Sequence, residues 1–134
     1  MFVVRPVQLK DEQKYICDNL GAEFYKNALS FYAADLAEDN TTIETYIGIC
    51  QFYFMGDAEI VGFFAAEGRE DDEAVIVMLR AAMSFMHRCG AKTARFANGA
   101  ASEFWLKKSG FLLKDGIYSI DLEKFYTTKC NHGD

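Results

Sequence analysis

Residues 98–111 read NGAASEFWLKKSGF, and the reading of this stretch decides the fold. Asn98 is a turn and cap residue ahead of a helix expected over Ala100 to Lys108, on which Lys107 is a helix charge. Immediately before it, Lys92 to Ala97 reads as a strand. Before that strand, a helix capped by Asp71 or Asp72 reaches Cys89. Its apolar face is Val75, Met78, Leu79, Ala82, Phe85, Met86 and Cys89, at helical spacing. Gly90 ends it, and His87 and Arg88 sit near the negative end of its dipole. On the other side of the stretch, Ile117 to Leu122 is expected as the final strand.

The first half of the chain is read the same way. Phe2 to Val7 is a short strand ended by Pro6 and a polar turn. Asp11 can cap a helix running to Leu20, with Gly21 as its C′ residue. A second helix is expected over Ala22 to Ala37, on an apolar stripe of Phe24, Ala28, Leu29, Tyr32 and Leu36. Ile43 to Met55 is rich in Ile, Tyr and Phe, which suits a strand. Gly56-Asp57 signals a turn, and Ala58 to Glu67 returns as the second strand of a hairpin. The expected order, β-α-α-β-β-α-β-α-β, implies an α/β chain with a mixed sheet and helices on its faces.

The 98–111 stretch resembles the cofactor-binding helix of the GCN5-related N-acetyltransferase superfamily, roughly Asn-x-x-Ala-x-x-Phe-Tyr-x-Lys-x-Gly-Phe. Asn98, Ala101, Phe104 and Lys107 fall on that pattern, Gly110 and Phe111 close it one position late, and Trp105 stands where the family often has a general-acid tyrosine. VRPVQLKDEQ resembles the family's opening strand and turn, DAEIVGFFAAE its central hairpin, and AVIVMLRAAMSFMHRCGAKTARF its third helix and fifth strand. The resemblance implies a single domain over 1–134, with 128–134 as a flexible tail. The implied architecture is the acyl-CoA N-acyltransferase-like fold, a central mixed, mostly antiparallel sheet flanked by helices. It also implies acetyl transfer from acetyl-CoA to an amine. Glu67 would be the base and Tyr118 a substitute acid, with Arg69, Asn98, Trp105 and Lys107 toward the cofactor.

In the family, an Arg/Gln-x-x-Gly-x-Gly/Ala loop opens the third helix and cradles the cofactor's pyrophosphate on backbone N–H groups. The gap-free alignment places Glu70, Glu73 and Val75 at those key positions. Glu70, Asp71, Asp72 and Glu73 therefore crowd the helix start. Each stabilises the helix by roughly 0.3–1 kcal/mol. Toward an anion, a unit charge ~4 Å away at an effective dielectric of ~20 is repelled by about 4 kcal/mol. This departure motivates a rival expectation: a member that kept the fold, lost the cofactor site, and binds another small ligand or a partner. The chain length leaves two placements of the sheet open. Either the family's fourth strand is deleted, or the strands before it are compressed into Thr41 to Phe54.

Composition bounds the rest. A chain of 134 residues, 51% hydrophobic and 15% aromatic, can build one core without disulfides or metal. Its surplus of Phe and Tyr suits a thick core, an apolar groove or a homodimer face. The net charge of −6 argues against nucleic acid or an anionic membrane as partner and agrees with an amine substrate. The opening MFVVRPVQLKDEQ lacks signal-peptide character, which leads to the expectation of a cytoplasmic protein. Cys17, Cys50, Cys89 and Cys130 have no metal-ligand spacing, and Cys130 with His132 is too sparse for a metal site. His87 and Cys89 point to different helix faces and make no nucleophile pair. No Ser–His–Asp or phosphate-loop pattern is present.

Overall fold

A computed structural model of the chain describes residues 1–67 and 72–132. Its elements are β1 (Phe2–Pro6), α1 (Lys10–Leu20), β2 (Leu29–Leu36), β3 (Ile43–Met55), β4 (Asp57–Ala65), α2 (Glu73–Arg88), β5 (Thr93–Phe96), α3 (Glu103–Lys108), β6 (Leu112–Lys114), β7 (Ile117–Asp121) and α4 (Leu122–His132). The strands form a seven-stranded sheet in the order β1-β2-β3-β4-β5-β7-β6. Only β4 and β5 pair in parallel; the other neighbours are antiparallel. This is the mixed, mostly antiparallel sheet flanked by helices that the resemblance implies.

Two cores lie on the two faces. Met78, Leu79, Ala82, Met83 and Met86 of α2 pack on Ile47, Phe52, Ile60 and Phe63 of the sheet, with Leu122 and Phe125 of α4 beside them. Phe31, Phe52 and Phe85 meet in this core at centroid separations of 5.9 to 6.3 Å, so part of the aromatic surplus thickens it. On the opposite face, Ile16 and Cys17 of α1 pack on Tyr32, Ala34 and Ile49. Among the described residues, no helix is long and apolar enough to cross a membrane.

The helix expected over Ala22 to Ala37 is absent. Residues 21–28 form a loop and Leu29–Leu36 is β2, inserted between β1 and β3. Both faces of β2 are buried: Phe31 and Ala33 enter the α2 core, Tyr32 and Ala34 the α1 core. A strand buried on both faces loses polar–apolar alternation, and LSFYAADL then imitates a helical stripe. With β2 in place, β4 is the fourth strand in chain order, so no strand is deleted and none is compressed.

Smaller differences have local causes. Asp11 lies in the first turn of α1, where it favours the dipole, and Leu9 is the N-cap. Helix α3 starts at Glu103, on Ser102 as N-cap, because residues 97–100 are committed to β4. The β6–β7 hairpin turns at Asp115-Gly116, both at positive φ (53° and 82°), as a tight Asp-Gly turn requires. Helical backbone continues to His132, through most of the stretch expected as a tail.

The 21–28 loop is held by a buried pair of carboxamides. Gln13 of α1 and Gln51 of β3 are 2% and 1% exposed. Gln51 Oε1 accepts from Gln13 Nε2 and from the backbone N–H of Tyr25, both at 2.9 Å. Gln51 Nε2 donates to the Glu23 carbonyl at 2.8 Å, and Gln13 Nε2 also donates to the Tyr25 carbonyl at 3.1 Å. Lys10 Nζ closes the set, donating to Gln13 Oε1 at 2.9 Å and to the Ala28 carbonyl. Each buried amide left without a partner costs about 1–3 kcal/mol. Gln51→Leu is therefore expected to destabilise the fold by about 3 kcal/mol. Adding Gln13→Leu should cost less than the sum of the two singles, because both remove the same bond. Denaturant unfolding of the two singles and the double checks this, and strict additivity would contradict the network.

Candidate functional site

Strands β4 and β5 are hydrogen-bond partners only over Ala58–Ile60 against Ala94–Phe96. There they part. The register of β4 against β3 skips Val61, with Gln51 opposite Gly62 and Phe52 opposite Ile60, so Val61 is the extra residue of a bulge. A bulge bends its strand and increases its twist. After Phe96 the chain turns through Asn98 and Gly99. It stays tied to β4 by the Ala97 N–H to the Ile60 carbonyl at 2.9 Å and the Phe63 N–H to the Ala100 carbonyl at 2.8 Å.

The parting opens a cleft of about 180 Å³ on the α1 face, lined by Glu23, Tyr25, Gln51, Gly62, Gly99 and Ala100 among others. Gly62 makes the close approach possible. A Cβ there would lie 2.9 Å from the Tyr25 ring and 3.0 Å from Gln51 Nε2. The Tyr25 hydroxyl donates to the Glu23 carboxylate, and this bond, ahead of burial, holds the phenol above its ordinary value of 10.0. The cleft thus presents an acidic side chain, a neutral phenol and a carboxamide.

The residues anticipated from the sequence are dispersed. Glu67 lies just past β4 in a separate groove on the α1 face, beside Asn19, Tyr46 and Phe64. Tyr118 of β7 packs against the α2 core, so the structure does not join it to Glu67 in one site. Asn98 is exposed in the turn whose next two residues line the cleft. Trp105 is half-buried and meets Phe63 edge-on at 6.2 Å and Phe104 at 5.0 Å, which fastens α3 to β4. Lys107 pairs with Glu103 at 3.6 Å with both side chains about 70% exposed, a contact of little energetic weight. Arg69, Glu70 and Asp71 lie outside the described residues.

Lys108, which the sequence did not single out, reaches Asp72 at the start of α2 with 2.7 Å between Nζ and Oδ2. Asp72 makes no side-chain cap; its carboxylate is turned to the lysine instead. Glu23, Tyr25 and Gln51 are also not singled out by the sequence, the first two because the stripe of Phe24, Ala28, Leu29, Tyr32 and Leu36 imitates a helix. Two signals were present. A lone Gly62 inside a strand marks a bulge or a close backbone approach, and Gln51 is a polar residue in the apolar run IGICQFYF.

No protein-family model matches the sequence, and no curated protein matches it. Solved structures do. The PaiA N-acetyltransferase of Thermoplasma acidophilum in complex with coenzyme A has a TM-score of 0.64 at 13% identity, over 90% of this chain and 99% of that one. The ribosomal-protein-S18-alanine N-acetyltransferase of Escherichia coli has a TM-score of 0.61 at 12% identity, over 91% and 94%. The IAA acetyltransferase of Bacillus cereus has a TM-score of 0.62 at 18% identity, over 86% and 79%. The chain has the GCN5-related N-acetyltransferase fold.

The described residues do not fit acetyl-CoA as they stand. The Phe63 N–H, the backbone donor at the parting, is taken by the Ala100 carbonyl. At the start of α2, where a pyrophosphate would need free N–H groups and positive charge, Asp72 presents a carboxylate and occupies Lys108.

The Tyr25–Glu23 bond sets a pH dependence. The protonated phenol is the bonded form, so a raised folded value means stability fully present below the ordinary value of 10.0 and lost as pH rises through the folded value. Glu23→Gln should lower the alkaline midpoint of one tyrosine in an ultraviolet titration. A midpoint that Glu23→Gln leaves in place would contradict the bond.

Proposed function

We propose that this protein binds a small cationic amine in the cleft where β4 and β5 part, with the Glu23 carboxylate and the Tyr25 hydroxyl as its polar receivers. The observation that carries this reading is the composition of the cleft: among the described residues that line it, Glu23 is the charged one, with no Lys or Arg. An ammonium group placed there would gain a charge-assisted hydrogen bond. The net charge of −6 favours the approach of a cation. The Gln51 network holds the loop that carries Glu23 and Tyr25 in position before any ligand arrives, which lowers the ordering cost of binding.

A second reading, transfer of an acetyl group from acetyl-CoA to that amine, is supported by the likeness of the fold to N-acetyltransferases. Fold likeness alone does not carry chemistry. This reading further requires that the Ala100 carbonyl release the Phe63 N–H and that the charge of Asp72 stay neutralised. The first reading requires neither condition.

Calorimetric titration separates the two. We expect simple alkylamines to bind, Glu23→Gln to weaken them by about ten-fold, which is about 1.4 kcal/mol, and acetyl-CoA to give no heat at millimolar concentration. Micromolar binding of acetyl-CoA, followed by acetylated amine in the mixture, would replace the first reading by the second.

A further inference from the structure

The α1 face carries a second hollow beside the first. A groove of about 390 Å³ is walled by Asn19, Tyr46 and Glu67 among others, and Phe64 lines both it and the cleft at the strand parting. Phe64 is therefore the divide between the two. Among the described residues each hollow is lined by one carboxylate, Glu23 in the first and Glu67 in the second, and neither by a Lys or Arg. That lining disfavours an anionic ligand in either.

The second hollow has features that suit an ammonium group. Tyr46 is locked edge-on against Tyr15 at 6.1 Å and against Tyr32 at 5.7 Å. An aromatic side chain and a carboxylate lining one hollow attract a cation by the ring quadrupole and by charge together. Glu67 is exposed and has no hydrogen-bond or ion-pair partner among the described residues. The wall the two hollows share is the apolar ring of Phe64, which offers methylene groups a surface to cover.

We propose that the ligand is two-ended: a straight-chain diamine. One ammonium lies at Glu23 and Tyr25, the chain crosses Phe64, and the second ammonium lies at Glu67 beside Tyr46. This rests on the amine reading of the first cleft and narrows its ligand class. Two modest sites joined by one linker bind more tightly than either alone, provided the linker spans them. The affinity should accordingly peak at one chain length.

The test is calorimetric titration of the full chain, at low ionic strength, with hexylamine and with butane, hexane and octane diamines. The expected result is that one diamine binds about ten-fold more tightly than the monoamine. Glu67→Gln should bring that diamine down to the monoamine's affinity, and Glu23→Gln should weaken both. A monoamine that matches every diamine, or a diamine advantage that survives Glu67→Gln, would overturn the two-ended ligand while leaving the single-amine reading in place. Absence of binding by every amine would overturn both.

Discussion

The carboxamide of Gln51 is the constraint on which the functional half of the molecule depends. It lies on β3 opposite Gly62, next to the bulge at Val61, and it ties together α1, β3 and the 21–28 loop. Through Gln13 it holds α1; through the Tyr25 N–H and the Glu23 carbonyl it holds the 21–28 loop. A loop without internal secondary structure keeps one conformation only if its ordering entropy is offset. Here buried hydrogen bonds do this in a low dielectric, where each is strong and each omission is expensive. A cleft lined by that loop is as firm as the network beneath it.

The bulge and the glycine set where the cleft lies. Val61 bends β4 away from β5, and Gly62 leaves room for the Tyr25 ring against the sheet. The turn after β5 folds back so that its Ala100 carbonyl satisfies the Phe63 N–H. A buried strand group must find a partner, and here the partner is internal. The same economy operates at the start of α2, where Lys108 meets Asp72. Each contact completes the protein's own bonding and removes a group that an anionic cofactor would need.

Much of the fold was legible in the sequence. Ile43 to Met55 shows in its Ile, Tyr and Phe content and in the Gly56-Asp57 turn to β4, α2 in its single apolar face, and the resemblance of residues 98–111 orders them with the strand before Asn98. Strand β2 was not legible, because burial on both faces erases the two-residue period that separates strand from helix. That single error hid Glu23 and Tyr25 and made the sheet look one strand short. The short strand β6 was announced only by the Asp115-Gly116 turn. The acidic helix start was visible in EGREDDEAV, but the Lys108–Asp72 contact joins α3 to α2 across a distance in the chain that no local pattern encodes. Glu67 lines a groove on the α1 face and Tyr118 packs against the α2 core, a separation that no local pattern encodes.

The most direct test is site-resolved amide hydrogen exchange at Tyr25 and Phe63, without and with acetyl-CoA. If the loop is pinned by Gln51 and the strand parting is closed by Ala100, both amides exchange slowly, and millimolar acetyl-CoA changes neither. Fast exchange at Tyr25 would contradict the pinned loop. A Phe63 amide whose protection shifts on addition of acetyl-CoA would contradict the closed parting and return the protein to acetyl-transfer chemistry.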